Sequence, residues 1–498
     1  AVFGEKRVEE AEEEGAHKSD EEEGEEAEDE SAPPPSPQLR TVSARVRGLQ
    51  YDVDHHGDQL FVVTNKGGAT NKNLWRCPLD KTEHEHWTPC FTEDVGVTSL
   101  DSVSAFRDFL VLEGRLEGSP QVWVLPLTDA MAGGSSSDAA RGSLLREGPG
   151  VAGCGVLASR RVRFPEPVYG ARVLDGQCRE WAGSELRLRY SSPVTPQSTL
   201  ALDVRSMALT TVKEKEVPNY DKSKYACRRL FATAPDGVQV PISVVFRKAD
   251  AAPGSELPSQ RPCLLYGYGS YGICIDPTFQ PNIVSLLDRG AVFCIANVRG
   301  GGEMGRAWYE EQGKWLTKRN TFTDFVAAAS HLATSGLARR DRIAIHGASA
   351  GGLLVGAAVN MRPDLFCGVL AEVPFVDVVQ TMSDPSIPLT TAEWAEWGDP
   401  RTPEFHDYML SYSPVDCVRP AKYPPILATC GLHDPRVGYW EPLKWIHVLR
   451  DRAHPGSGPF LLRAQLSGHF SSTDRYSRLR EDAEVYAFVL HVLGLAGQ

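Results

Sequence analysis

A serine hydroxyl is a weak nucleophile until something takes up its proton, and one serine of this chain stands in a setting suited to that work. In RIAIHGASAGGLLVGAAVN, Gly347-Ala348-Ser349-Ala350-Gly351 reads G-x-S-x-G between an apolar strand-like run and an apolar helix-like run. A sharp strand-to-helix turn lifts such a serine above a sheet, and its neighbours are small because larger side chains would collide there. The hydroxyl needs a base within hydrogen-bond reach and a carboxylate to orient that base and stabilise its imidazolium. Where this turn carries a reactive serine, the three follow in the order Ser, Asp, His.

PPILATCG ends just before LHDPRVGYW and FLLRAQLS just before GHF, which puts Asp434 and His469 in loops beyond two strand-like runs. Strand ends are where open α/β sheets present functional groups. The rivals are less well placed. His433 adjoins Asp434 but precedes it, His331 and His447 fall in helical runs, His346 lies inside a strand, and Asp377 and Asp384 are loop acids with no clear strand end. Ser349, Asp434 and His469 are therefore the expected nucleophile, acid and base. Charge developing on an attacked carbonyl oxygen needs donors as well. The amide of Ala350, the residue after the serine, is expected there, and Tyr268 in LLYGYGSYG offers a hydroxyl in place of an HGGG loop, which this sequence lacks. Taken alone, a tyrosine among glycines in a turn is more often a packing residue.

The elements that would position these groups begin near residue 219. Buried-type strands PCLLYGYG, AVFCIANV, DRIAIHGA, CGVLAEVP and PPILATCG alternate with helical runs FTDFVAAASHLATSG, GGLLVGAAVN and EPLKWIHVLRD. Near-continuous apolar strands punctuated by helices mean a mainly parallel sheet covered on both faces, so residues 219–498 are expected to form a doubly wound α/β domain, and with the G-x-S-x-G turn at Ser349 an α/β-hydrolase fold. RRLFATAPDGVQVPISVVFRK adds a hairpin turning at Asp236-Gly237.

Residues 41–218 have another texture. QLFVVTN and NLWRCPLD, DFLVLEGR and QVWVLPL, ELRLRYSS and TLALDV read as paired strands with little helix between, the widest gap holding the insert MAGGSSSDAARGS. Meanders of this kind suggest about three blades of a partial β-propeller, with a β-sandwich as the alternative.

Charge is confined to one end. Residues 1–31 hold fifteen Asp/Glu against three Lys/Arg, a local charge of -12, while the remainder has fifty acids against forty-nine bases, or -1. Residues 1–40 are thus expected to be a disordered acidic tail with the Pro-rich linker SAPPPSPQ. A near-neutral body has no basic footprint for nucleic acid. No run approaches the roughly eighteen apolar residues of a membrane span. Eleven cysteines between Cys77 and Cys430, without a C-x-x-C pair, suggest neither a disulfide framework nor a zinc site, but the reduced thiols of an intracellular protein.

YGYGSYG, VRGGGEMGRAWYEEQGKW, KRNTFTDF, GASAGG, EVPFVDVVQTMSDPSIPLTTAEWAEWG, SYSPVD, DPRVGYWEPLKW and GHF, in this order, closely resemble the prolyl oligopeptidase family of serine peptidases, most of all its oligopeptidase B branch. The resemblance covers residues 219–498 and, less sharply, extends over 45–218 to the last blades of that family's propeller. It implies a cytosolic endopeptidase that cuts short peptides after Arg or Lys without metal or organic cofactor. It implies the roles already given to Ser349, Asp434, His469, Tyr268 and Ala350, and adds Arg436 as a holder of the substrate backbone. Basic P1 recognition in that branch uses two glutamates. The first matches Glu393, whereas the second falls on Ala395, with Glu396 one place further. Asp276 matches one of two aspartates linked to a basic P2 preference, the other falling on Thr278. Fewer blades than the family's full ring imply a fragment or an incomplete product. A carboxylesterase-type hydrolase and a truncated, non-catalytic peptide binder are the alternatives to a peptidase.

Overall fold

The computed structural model describes residues 39–91, 98–127, 145–147, 155–157, 159–178, 180–251, 254–470 and 474–497. The acidic tail, the Pro-rich linker and the MAGGSSSDAARGS insert lie outside the described residues. Residues Ser43–Gln498 form one compact unit.

The alternation of apolar residues builds the first part of that unit. Three four-stranded sheets follow in chain order: Tyr51–His56, Gln59–Thr64, Asn73–Pro78 and Thr88–Phe91; then Thr98–Ala105, Phe109–Leu116, Ser119–Pro126 and Arg160–Arg161; then Gly170–Val173, Glu185–Ser191, Ser198–Asp203 and Ala208–Glu214. Each strand pairs antiparallel with its neighbour. Successive side chains of a strand point to opposite faces. In the middle sheet Leu110, Leu112, Trp123 and Leu125 therefore pack toward the first sheet, while Phe109, Val111, Val122 and Val124 pack toward the third. Each sheet closes a core with the next, the arrangement of propeller blades. The three strand pairs expected from sequence are the central strands of these blades.

A larger sheet has eight strands, in the order Tyr225–Thr233, Gln239–Arg247, Val292–Ala296, Arg261–Tyr266, Ala338–Ala348, Gly368–Glu372, Ile426–Gly431, Phe460–Gln465. The first two form the expected hairpin, with Gly237 at φ 89° and its amide bonded to the Ala234 carbonyl. From Val292–Ala296 onward every pairing is parallel. The apolar runs are nearly unbroken because both faces are covered. Cys263, Leu265, Ile343, Ile345 and Val369 enter one core with helices Arg319–Thr334, Ala350–Met361 and Trp440–Arg452. Leu264, Ala344 and Leu370 enter the other, with Pro281–Asp288 and Arg475–Val492. This is the α/β-hydrolase fold preceded by a partial β-propeller.

The chain leaves strand Arg261–Tyr266 for one neighbour, Val292–Ala296, and later enters the other, Ala338–Ala348. Such a reversal opens a crevice at the carboxyl ends of the strands. No helix among the described residues is long and apolar enough to cross a membrane.

Candidate active site

Ser349 caps helix Ala350–Met361 at φ 58° and ψ −118°, a backbone conformation strained for any residue with a Cβ. What holds it there is the absence of side chains around it. A Cβ on Gly347 would stand 2.0 Å from the Gly351 carbonyl oxygen, and one on Gly352 2.3 Å from the Pro374 Cβ. The Ser349 amide donates to the Glu372 carbonyl at 2.8 Å, and its own carbonyl accepts from Gly352 at 2.8 Å and Phe375 at 3.1 Å. The turn is thus tied to the end of strand Gly368–Glu372 and to the loop that follows it.

The structure brings Ser349, Asp434 and His469 together. His469 Nε2 lies 3.1 Å from Ser349 Oγ, and Nδ1 lies 2.7 Å from Asp434 Oδ2. Asp434 follows strand Ile426–Gly431 and His469 follows Phe460–Gln465, adjacent parallel strands whose ends lie side by side. Asp434 Oδ1 accepts from the amides of Arg436 at 2.8 Å and Val437 at 3.0 Å. Burial opposes charge on this carboxyl, but the bonds from His469 and those two amides outweigh it and hold its pKa below the ordinary value. An ionised Asp434 fixes the proton on Nδ1 and leaves Nε2 facing the hydroxyl as acceptor.

A cavity of about 370 Å³ opens beside Ser349, walled among others by Tyr268, Tyr271, Ala350, Glu393, Trp397 and Arg436. Ala350 begins its helix, so its amide has no intrahelical acceptor. Tyr268 is half-buried, and burial together with nearby Tyr266 and the Glu396 and Glu393 carboxylates pushes its pKa up to about 12, so it remains a donor. Glu393 is the one acid in the wall among the described residues. Its Oε2 accepts from the Tyr271 hydroxyl at 2.7 Å and from the Trp397 indole at 3.1 Å.

The other expected site residues are placed differently. Ala395 is exposed and outside the cavity wall. Glu396 is buried, accepting from the Tyr271 amide at 3.0 Å and the Tyr309 hydroxyl at 2.6 Å, with Lys318 Nζ at 3.6 Å. Asp276 does not line the cavity, and both of its oxygens accept from Arg115. Sequence reading missed Tyr271, which joins Glu393 and Glu396 to the cavity wall. Its signal was the run of glycines and tyrosines in YGYGSYG, which allows the sharp backbone that places Tyr271 at φ 60°.

Comparison with known proteins shows the family to which this fold belongs. Residues 277–496 match the model of the prolyl oligopeptidase family, and residues 12–215 match that of the prolyl oligopeptidase N-terminal β-propeller domain. Protease 2 of Moraxella lacunata is 40% identical over 93% of this chain and 61% of its own length. Dipeptidyl aminopeptidase BI of Pseudoxanthomonas mexicana is 39% identical over 94% of the chain and 60% of its own. Among solved structures, oligopeptidase B from Leishmania major superposes with a TM-score of 0.78 at 41% identity, covering 91% of this chain and 60% of that one. Oligopeptidase B from Trypanosoma brucei, described with covalently bound antipain, gives 0.78 at 45% identity over the same shares. The chain belongs to the prolyl oligopeptidase family, and it spans about 60% of the length of these relatives.

Proposed function

We propose that this chain is a serine endopeptidase that hydrolyses short peptides after Arg or Lys, with Ser349, His469 and Asp434 as its catalytic residues. The observation that carries the reading is His469 bonded at once to the Ser349 hydroxyl and the Asp434 carboxylate beside a cavity in whose wall the described residues place one acid, Glu393.

Ser349 Oγ attacks the carbonyl carbon of the scissile bond while its proton passes to His469 Nε2. Asp434 stabilises the imidazolium through Nδ1–H without taking the proton itself. The carbonyl oxygen, now negative, is met by the Ala350 amide and the Tyr268 hydroxyl. As the C–N bond breaks, His469 gives its proton to the leaving amine, and an acyl ester remains on Ser349. Water attacks that ester, His469 accepts a water proton, and collapse of the second tetrahedral intermediate returns a proton to Ser349 Oγ and frees the acid. The substrate's basic side chain pairs with Glu393, and Arg436 holds its backbone. Where water is excluded such a charged pair is stronger than in bulk solvent.

A panel of fluorogenic peptides varied at P1, assayed with a Ser349→Ala control, tests the reading. Arg and Lys substrates should be cut and the variant should be inert. Cleavage of simple esters but no peptide would point to an esterase, and activity retained by Ser349→Ala would end the assignment.

A further inference from the structure

The segment from Tyr268 to Phe279 walls the cavity at its beginning and is gripped by the blades at its end. Arg115, on strand Phe109–Leu116 of the second blade, donates to Asp276 Oδ1 at 2.8 Å and Oδ2 at 3.0 Å. The pair is largely shielded, with the Arg115 side chain 12% exposed and that of Asp276 29%. The third blade closes from the other flank. A Cβ on Gly170 would meet Thr278 Cγ2 at 2.9 Å and Asp276 Cβ at 3.3 Å, and Ser191 Oγ accepts from the Phe279 amide at 3.0 Å. The next residue toward the cavity, Ile275, has both its peptide groups held. Its amide donates to Glu303 Oε1 at 2.8 Å and its carbonyl accepts from Asn297 Nδ2 at 3.1 Å. Arg229 then ties Asn297 Oδ1 at 3.0 Å to Ser119 Oγ of the second blade at 3.2 Å.

Residues 275–279 are therefore a wedge seated between two blades, and Tyr271 lies a few residues from its tip. A planar guanidinium bonded to both carboxylate oxygens fixes orientation as well as distance, which a single contact does not. At its other end the segment is tied through Tyr271 to Glu393 and Glu396 of helix Thr390–Trp397. The blade side brings in, through Arg115, a charge from outside the α/β-hydrolase fold.

Resting on the reading of the cavity as a peptide-cleaving site, we propose that Arg115 is a positioning residue supplied by the propeller, holding Asp276 so that Tyr268 and Tyr271 stay in register with Ser349. Asp276 is engaged in this bond through both of its carboxylate oxygens.

The test uses the whole chain with Arg115→Met, Arg115→Lys, Asp276→Asn and the Arg115→Met/Asp276→Asn double variant. Two fluorogenic dipeptide amides are compared, both with Arg at P1 and with either Gly or Arg at P2, alongside the labelling rate of Ser349 by a small fluorophosphonate. Arg115→Met and Asp276→Asn should each lower kcat/KM for both substrates alike, by about 10- to 100-fold and mainly in kcat, because a displaced wall misplaces the oxyanion donor. The double variant should be no worse than either single one, since both remove the same bond. Arg115→Lys, which keeps the charge and loses the fork, should recover part of the rate. Unchanged kinetics in Arg115→Met would overturn the proposal. So would a loss in Asp276→Asn confined to the Arg-P2 substrate with a gain for that substrate in Arg115→Met, because Asp276 would then read the substrate and Arg115 compete for it. If Arg115→Met loses its cooperative melting transition, Arg115→Lys decides, and activity equal to the parent overturns the role. If the parent chain cuts neither peptide, the peptidase reading fails by itself. The fluorophosphonate rate then judges the wedge, equal labelling in parent and Arg115→Met counting against it.

Discussion

The Tyr271 hydroxyl donates to Glu393 Oε2 at 2.7 Å, so the one acid that the described residues place in the cavity wall is held by a neighbour. Desolvation and the flanking carboxylates of Glu393 and Glu396 push the phenol's pKa up, which keeps it protonated and a donor. The Trp397 indole bonds the same oxygen. The carboxylate is thereby preorganised, and on the proposed reading a guanidinium entering the cavity would meet a fixed acceptor instead of a mobile side chain.

Glu393→Gln should accordingly cost Arg substrates about 2–4 kcal/mol of transition-state binding, about 30- to 900-fold in kcat/KM, with little effect on Leu substrates. Steady-state assays of matched Arg and Leu peptides measure this. Equal losses on both would assign Glu393 to holding Tyr271 and not to reading P1.

Ser349 should be the serine that a fluorophosphonate labels rapidly, and His469→Ala should abolish the labelling, because only a base-activated hydroxyl reacts fast. Mass spectrometry of the adduct identifies the site. Persistent labelling without His469 would break the proposed roles.

Gly347→Ala should destabilise the chain severely, by more than about 4 kcal/mol, since its Cβ would lie 2.0 Å from a backbone oxygen that cannot move without unwinding the turn. Gly176→Ala is the matched control, having nothing within 4 Å of its Cβ. Thermal melts of the two variants should separate clearly, and similar melting would show that the turn relaxes more readily than its packing indicates.

Glu441 is fully buried, accepting from the amides of Val376 at 2.8 Å and Asp377 at 3.0 Å and from the Thr381 hydroxyl at 2.9 Å. Burial, reinforced by Asp377 and opposed by these bonds, pushes its pKa up to about 7. The folded chain thus binds this proton more tightly than the unfolded one. Its contribution to stability is complete below the ordinary carboxyl value of 4.5 and is lost as pH rises through about 7. Glu441→Gln should remove that slope, a difference on the order of 2–3 kcal/mol between pH 5 and 8 in chemical denaturation. A slope as steep in the variant as in the parent would assign it to other groups.

The central strands were legible because burial on both faces writes an apolar residue at nearly every position, as in Cys263, Leu264 and Leu265. The blade edges Arg160–Arg161 and Gly170–Val173 were not, being short and half-exposed. Within the site, the sterics of the turn leave their record in Gly347 and Gly351, and Asp434 and His469 stand at strand ends in the required order. Tyr271 and Asp276 were harder because their meaning lies in partners 122 and 161 residues away in the chain, Glu393 and Arg115, which no local pattern announces.

His469 joins positions 35 and 120 residues away, and it does so only once strand Phe460–Gln465 has paired in parallel with Ile426–Gly431. Non-local parallel pairing is slow, because the chain must close long loops before any contact rewards it. On refolding from denaturant, far-UV circular dichroism should recover before Ser349 becomes labelable, and simultaneous recovery would show that the sheet assembles in one step. The same order holds during synthesis. On the proposed roles, a nascent chain carries Ser349 for 120 residues before His469 is made, so its hydroxyl would have no base and the unfinished polypeptide would not attack the peptides around it.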